Sequence, residues 1–227
     1  SHTVNQLFGP TRHPRNLQRS AGGSSGGAAV GLATHMVSVA DGSDFMGSLR
    51  NPARWNDGIY SHRPTAGWLE YDQNVLPDGL PYPLSTPGPL ARSVRDLNNL
   101  LEIMVGKTSV FQAATTTSTS TSQEPRETFR IGWLGSFSGL PMEPGILECC
   151  QGALKHFETS SNGMCTVENI ESKLRADTVD HQWSSWVDLR SYIIAQTEVG
   201  KHGREALVGK TAQVKPELQW EVARGLQ

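Results

Sequence analysis

The chain has 227 residues, with 20 Lys plus Arg against 22 Asp plus Glu and a formal net charge of -2. That near-balance excludes a basic nucleic-acid surface and a strongly acidic tail, and no apolar run reaches the roughly 18 residues that cross a bilayer as a helix. With 23 Gly and 13 Pro the sequence is rich in turns, and its length suits one substantial domain or two small ones.

Residues 1–23 read as loop, punctuated by Gly9-Pro10, His13-Pro14 and Gly22-Gly23. From Ser25, SGGAAVGLATHM reads as a helix with a small side and an apolar side; Gly26 and Gly27 weaken it and so point to close backbone approach. MVSVADG reads as a short buried strand ending at Asp41-Gly42, and GSDFMGSLRNPA as a second glycine-bearing turn whose continuation Pro52 limits. GIYSHRPT is strand-like up to Pro64. Residues 70–90 hold Pro77, Pro81, Pro83, Pro87 and Pro89 and read as a long loop. ARSVRDLNNLLEIMVG is the clearest helix, with Val94, Leu97, Leu100, Leu101 and Met104 on one stripe and Gly106 as its stop.

The tract TTTSTSTS at 115–122 has no apolar face and predicts an exposed linker over 108–128. After it, FRIGWLG reads as a strand and PGILECCQGALKHFET as an amphipathic helix, on which Cys149 and Cys150 are expected to be half-buried. Cys165–Ile170 reads as a strand, and WSSWVDLRSYIIAQ as a helix that packs Trp183, Trp186, Leu189 and Ile193 inward. Strand–helix alternation on both sides of the tract predicts an α/β fold, a mixed β-sheet flanked by helices on both faces. The expected organisation is a core segment at 1–107, the linker, and a continuation of the same domain at 129–227.

Two clusters carry candidate chemistry. Gly22-Gly23-Ser24-Ser25-Gly26-Gly27 places backbone N–H groups and two hydroxyls at the start of a helix, where an anion or a developing oxyanion can be held. A tight strand-to-helix turn explains the same residues equally well, and neither a phosphate-loop ending nor a dinucleotide fingerprint is present. The second cluster is GSDFMGSLR, residues 42–50, whose Ser48 lies 24 residues after Ser24. Its hydroxyl sits in a flexible turn, with Asp44 four residues before it and Arg50 two after. That suits a serine nucleophile with backbone oxyanion donors, or an Asp–Arg pair that only holds a loop.

Taken together, GGSSGGAAVGLATHMVSVADGSDFMGSLRNPA, then HRPTAG, then STPGPLARSVRD resemble the amidase-signature hydrolases. The likeness extends more faintly to RIGWLGSFSGLPMEPGI and KPELQWEVARGL. It implies hydrolysis of a small-molecule carboxylic amide through a Ser–cis-Ser–Lys triad and an acyl-enzyme. Ser48 matches the nucleophile, and Ser24, preceded by a cis bond, the bridging serine. Ser25 matches a supporting hydroxyl, and the N–H groups around Phe45, Met46, Gly47 and Ser48 match the oxyanion hole. Asp44 and Arg50 match positions that hold the turn. The chemistry agrees, since a serine hydroxyl becomes a nucleophile when a neutral amine can take its proton through a second hydroxyl. The resemblance implies no cofactor and no metal, nor a nucleic-acid partner or membrane segment, and it is compatible with a homo-oligomer.

Departures from the family pattern are as informative. WNDGIYSHRPT is a residue longer than usual and has His62 at a customarily apolar position. The family lysine lies farther upstream than the 23 residues before Ser24, and Lys107, Lys155, Lys173, Lys201, Lys210 and Lys215 are at unrelated positions. The chain also begins with Ser and ends inside the helical pattern PELQWEVARGLQ, so a segment of a longer protein, inactive by itself, is the expectation. The alternatives are a glutamine-dependent amidotransferase component serving aminoacyl-tRNA, and a non-catalytic amidase-like module. Three cysteines, two of them adjacent, argue for a reducing compartment, the cytoplasm. His181 with Asp177 and Asp180 lacks a credible third metal ligand.

Overall fold

A computed structural model describes residues 2–5, 7–69, 85–106, 128–161, 164–208 and 214–227. The expectations for residues 70–84 and for the Thr/Ser tract lie outside these residues. The chain divides into two compact units, Ser1–Thr117 and Ser118–Gln227.

The first unit opens with two antiparallel hairpins where the sequence read as loop: β1 (Val4–Asn5) with β2 (Gly9–Pro10), and β3 (Arg12–His13) with β4 (Asn16–Ser20). Side chains close both. Asn5 Oδ1 accepts the N–H groups of Leu7 and Phe8 at 2.8 and 3.3 Å, and His13 Nδ1 accepts those of Arg15 and Asn16 at 3.1 and 3.2 Å. Such local bonds turn a punctuated stretch into defined structure that Gly-Pro and His-Pro dipeptides conceal.

Helix α1 (Gly26–Ala33) buries Ala29 and Leu32. Strand β5 (Val39–Asp44) runs past the expected stop at Asp41-Gly42 because Gly42 pairs directly with Gly88, and most of it is exposed or half-exposed, not buried. Helix α2 (Arg50–Trp55) was not legible in sequence; Pro52 sits in its first turn, between the Asn51-to-Gly47 and Ala53-to-Leu49 bonds, and its missing N–H leaves the Ser48 carbonyl to accept from Ser25. Short strand β6 (Tyr60–Ser61) and strand β7 (Thr86–Ala91) follow. β7 corrects the end of the expected loop: TPGPLA is the middle strand of an antiparallel sheet ordered β5-β7-β6.

Two prolines are tolerated there for a geometric reason. Alternate residues of an antiparallel strand turn their N–H and C=O to opposite neighbours. Pro89 faces β6, its carbonyl accepting the His62 N–H at 3.2 Å, and Pro87 faces the same way. β6 pairs only with Leu90 and Ala91, so little ladder is lost. Helix α3 (Val94–Val105) starts at Ser93, whose hydroxyl accepts the Asp96 N–H at 3.1 Å, and stops at left-handed Gly106. Leu101 is buried, whereas Val94, placed on the same stripe by spacing, is 63% exposed. The core of this unit joins Ala29, Leu32, Leu49, Ile59 and Leu90. Each fully buried leucine contributes about 1.5–3 kcal/mol.

In the second unit, β8 (Phe129–Trp133) and β9 (Cys165–Asn169) pair in parallel, with α4 (Ile146–Ser160) crossing between them and packing on β9. Glu171 begins a 3-10 turn and accepts the Ser136 N–H and hydroxyl and the Ser138 N–H, which hold its carboxyl below the usual pKa. Helices α5 (Ala176–His202), α6 (Arg204–Leu207) and α7 (Pro216–Gly225) pack around Ala195, Leu207 and Val222, with Gly225 lying directly against the Ser191 backbone. Arg190 and Glu221 form a largely buried ion pair between α5 and α7.

The inward packing expected of α5 holds only in part. Ile193 is buried, but Trp183 is 64% and Leu189 49% exposed, and Trp183 stacks on Trp186 with ring centroids 5.4 Å apart. At about 1.5 Å per residue, α7 is too short to cover the whole of α5. Cys149 and Cys150 are exposed, not half-buried, since no residue of α4 is buried. Among the described residues no helix is long and apolar enough to cross a membrane, and no group of three or more His, Cys, Asp and Glu could hold a metal.

Candidate active site

The second turn is organised by one carboxylate. Asp44 ends β5 with its side chain fully buried. Its Oδ1 accepts the Gly47 N–H at 2.8 Å, and its Oδ2 accepts those of Leu49 and Arg50 at 3.2 and 3.3 Å. The Arg50 guanidinium adds two bonds, Nε to Oδ2 and Nη2 to Oδ1, both at 3.0 Å. Arg63 stands 3.5 Å from Oδ1 on another side. Burial pushes the Asp44 carboxyl upward, but the Arg50 side chain and the Gly47 and Arg50 N–H groups outweigh it, so its pKa lies below the ordinary carboxylate value. The same bonds raise the pKa of Arg50.

Around that anchor the chain wraps Ser48. Gly47 has φ +93°, a left-handed conformation that a glycine adopts without strain. Leu49, fully buried, plugs the turn into the core, and Ser48 is left 6% exposed. The turn needs room in the sheet below it. A Cβ on Gly42 would stand 2.6 Å from the Ser25 hydroxyl and 3.0 Å from Leu49 Cδ2, and one on Gly88 would strike the His62 carbonyl oxygen. The Gly42–Gly88 pair is the floor on which both turns rest.

The first turn has no buried charge. The Gly23–Ser24 peptide is cis, at the position the family resemblance implied. Gly22 has φ +77°, and its N–H donates to Ser20 Oγ at 3.1 Å. The Thr3 hydroxyl lies 3.1 and 3.0 Å from the carbonyls of Gly22 and Ser24 and accepts the Gly26 N–H at 3.1 Å, filling the space a side chain at Gly26 would need. Ser24 is exposed and Ser25 half-buried.

Three contacts bring the turns together. The Ser25 N–H donates to the Ser48 carbonyl at 3.4 Å. Asn51 Oδ1 accepts the Gly23 N–H at 3.2 Å, while its own N–H donates to the Gly47 carbonyl at 2.6 Å. Asn56, buried just beyond α2, donates from Nδ2 to the carbonyls of Ala21 and Pro52 at 2.9 and 2.8 Å. Helix α2 therefore braces the glycine-rich turn at both of its ends.

The site residues implied by the resemblance thus lie on two adjoining turns, with Phe45, Met46 and Gly47 all half-buried between Asp44 and Ser48. One assignment needs refinement. The Gly47 N–H is engaged by Asp44, so Gly47 supports the turn; the N–H groups of Met46 and Ser48 donate to no group among the described residues. A buried hydroxyl beside such donors suits attack on a carbonyl carbon with stabilisation of the resulting oxyanion. His62 has its pKa lowered by burial, which favours the neutral imidazole. Thr3, Asn51, Asn56 and Arg63 were missed in sequence. Asn51 directly follows the motif and could have been suspected, but Thr3 lies too far from Ser24 along the chain for any local pattern to reveal it.

Comparison with known proteins gives the same picture. A family model described as Amidase matches residues 1–207. A glutamyl-tRNA(Gln) amidotransferase component from Bordetella avium is 33% identical over 180 residues, covering 70% of this chain and 34% of its own. The acylamidase of Rhodococcus erythropolis is 34% identical over 160 residues, covering 69% and 33%. Among solved structures, 6-aminohexanoate cyclic dimer hydrolase complexed with substrate matches with a TM-score of 0.70 at 22% identity, over 100% of this chain and 47% of that one. A bacterial aryl acylamidase of the amidase signature family matches at 0.66 and 24%, over 98% and 45%. At these identities the structural likeness shows the fold, mixed α/β with a central sheet flanked by helices. The chain spans about a third of the length of the curated relatives it matches. With the family match running from residue 1 to 207, across both serine-bearing turns, the chain belongs to the amidase-signature family.

Proposed function

We propose that the complete protein hydrolyses the C–N bond of small carboxylic amides. Ser48 Oγ attacks the amide carbonyl, and its proton passes through Ser24 towards a lysine supplied upstream of this segment. The backbone N–H groups of Met46 and Ser48 receive the oxyanion. The relay then protonates the departing amine, and water releases the acid from the acyl-enzyme. The observation that carries this reading is the joining of the two serine-bearing turns by Asn51 and by the Ser25–Ser48 backbone bond. Free Cys149, Cys150 and Cys165 support a cytoplasmic location. Exposed Trp183, Leu189 and Tyr192 on α5 are compatible with a homo-oligomer.

A second reading rests on the Bordetella avium relative, whose name describes part of an amidotransferase. In that case glutamine is the amide that Ser48 attacks, and the ammonia goes to a partner. The deciding experiment assays the complete protein on a panel of aliphatic amides, anilides and glutamine. Hydrolysis that falls about 10⁴-fold or more in Ser48→Ala is the expected result; an undiminished Ser48→Ala enzyme overturns the reading, and glutamine as sole substrate selects the second. The 227-residue chain alone is expected to turn over little, because no lysine precedes Ser24 in it to take the proton in the place the family pattern uses. Robust turnover by that chain would point to another base, with neutral His62 the first to test.

A further inference from the structure

Among the described residues, Asn51 alone bonds the residue immediately before each serine, through its side chain to one and its backbone to the other. Its carboxamide oxygen accepts from Gly23, which precedes Ser24, at 3.2 Å, and its backbone N–H donates to Gly47, which precedes Ser48, at 2.6 Å. The carboxamide is also wedged against the glycine-rich turn, since a Cβ on Gly22 would lie 2.5 Å from Asn51 Oδ1. Asn51 is itself fixed in the first turn of α2, whose far end is tied to Ala21 through Asn56.

We propose that Asn51 is a positioning residue that sets the spacing and orientation of Ser24 relative to Ser48, an inference that rests on the amidase reading above. The physical argument concerns reach. A proton relay between hydroxyls operates at hydrogen-bond range, about 2.6–3.2 Å, and a displacement of about 1 Å can cost about 100-fold in rate. The only direct bond between the serine segments among the described residues, Ser25 N–H to Ser48 carbonyl at 3.4 Å, is long. The Asn51 bridge therefore determines whether the bridging hydroxyl stays within reach of the nucleophile. Its backbone bond survives any substitution except proline, so the side-chain oxygen is the part that can be removed selectively.

The test uses the complete protein as wild type, Asn51→Leu, Asn51→Asp and Leu101→Ala, with Asn51→Ala in place of Asn51→Leu should the latter not fold. Asp retains an acceptor for the Gly23 N–H; Leu has similar volume and none. Leu101 is buried in α3, so its truncation is a control for lost stability without a change at either turn. Two readouts are taken: kcat and KM on the preferred amide, and the rate at which an alkyl fluorophosphonate labels Ser48. In labelling, Ser48 Oγ forms a bond to phosphorus as the P–F bond breaks, fluoride leaves and the hydroxyl proton goes to the relay.

Asn51→Leu is expected to lose about 10- to 100-fold in both kcat and labelling rate with KM within about threefold, and Asn51→Asp to stay within about threefold of wild type throughout. Leu101→Ala should lower the melting temperature and leave both rates near wild type. Wild-type rates in Asn51→Leu overturn the inference, as does equal damage in Asn51→Asp or an equal rate loss in Leu101→Ala. A wild-type protein that neither hydrolyses amides nor labels at Ser48 overturns the amidase reading and the inference together.

Discussion

The two turns hold their serines by opposite means. The Ser48 turn is gathered around a buried negative charge: Asp44 accepts three backbone N–H groups and a two-pronged bond from Arg50. The Ser24 turn contains no charge, and is shaped by small residues, the Thr3 hydroxyl and the Asn51 carboxamide. A charge-centred turn is sensitive above all to the ionisation of its centre, whereas an uncharged one is sensitive above all to the space and bonds its neighbours leave it. The division suits the proposed roles. A nucleophile beside oxyanion donors needs a rigid cradle of oriented N–H groups, and the bridging hydroxyl needs only to be held at the right distance.

The sharpest way to break this contrast is Asp44→Ala, which leaves the Arg50 side chain and three N–H groups without their acceptor. A loss of about 3 kcal/mol is expected in urea unfolding of the complete protein, and a loss below about 1 kcal/mol would refute the charge-centred view. Next come alanine substitutions at two glycines of similar φ. Gly22 has Asn51 Oδ1 at 2.5 Å from its missing Cβ, while Gly47 has Asn51 Cβ at 3.9 Å as its nearest neighbour. Gly22→Ala should cost about 1–3 kcal/mol more than Gly47→Ala, for which the conformational cost of about 1 kcal/mol is the whole effect. Equal losses would show that the first turn is not limited by space.

Thr3→Val tests the neutral clamp at constant shape. It should cost about 1 kcal/mol by denaturation, with Thr3→Ser close to wild type. The mildest probe is acid. The Asp44 carboxyl has a folded pKa below its unfolded value of about 4, so its stabilisation is complete above that value and is lost as pH falls through the folded one. Hydrogen exchange followed downward from pH 5, corrected for intrinsic rates, should show the Gly47, Leu49 and Arg50 amides losing protection before those of Gly23 and Gly26. Simultaneous loss would mean that the two turns open as one.

These differences also explain what could be read from the sequence. The Asp44–Arg50 pair and the tight turns that carry Ser24 and Ser48 were legible because their partners lie within a few residues, in a motif whose glycines advertise such turns. The clamps were not, because Thr3 and Asn51 act on residues distant in sequence, and a lone Thr or Asn carries no periodic signal. Helix α3 was legible from its stripe and its Gly106 stop. Helix α2 was hidden because Pro52 reads as a breaker unless its place in the first turn is known. Strand β7 was hidden because TPGPLA contains two residues that strands usually exclude. Trp183 and Leu189 misled in the opposite direction, since spacing identifies a possible inner face but not the length of the element that covers it.

Pro87 and Pro89 have one more consequence. Both direct their ring nitrogens away from β5, so along residues 86–89 that edge of β7 offers carbonyls without the matching donors. An extended peptide arriving beside it could not complete a ladder, and the short β6 is all that the edge accepts. A stretch that looks like a flaw in the sheet thus leaves an edge poorly suited to pairing with a further strand.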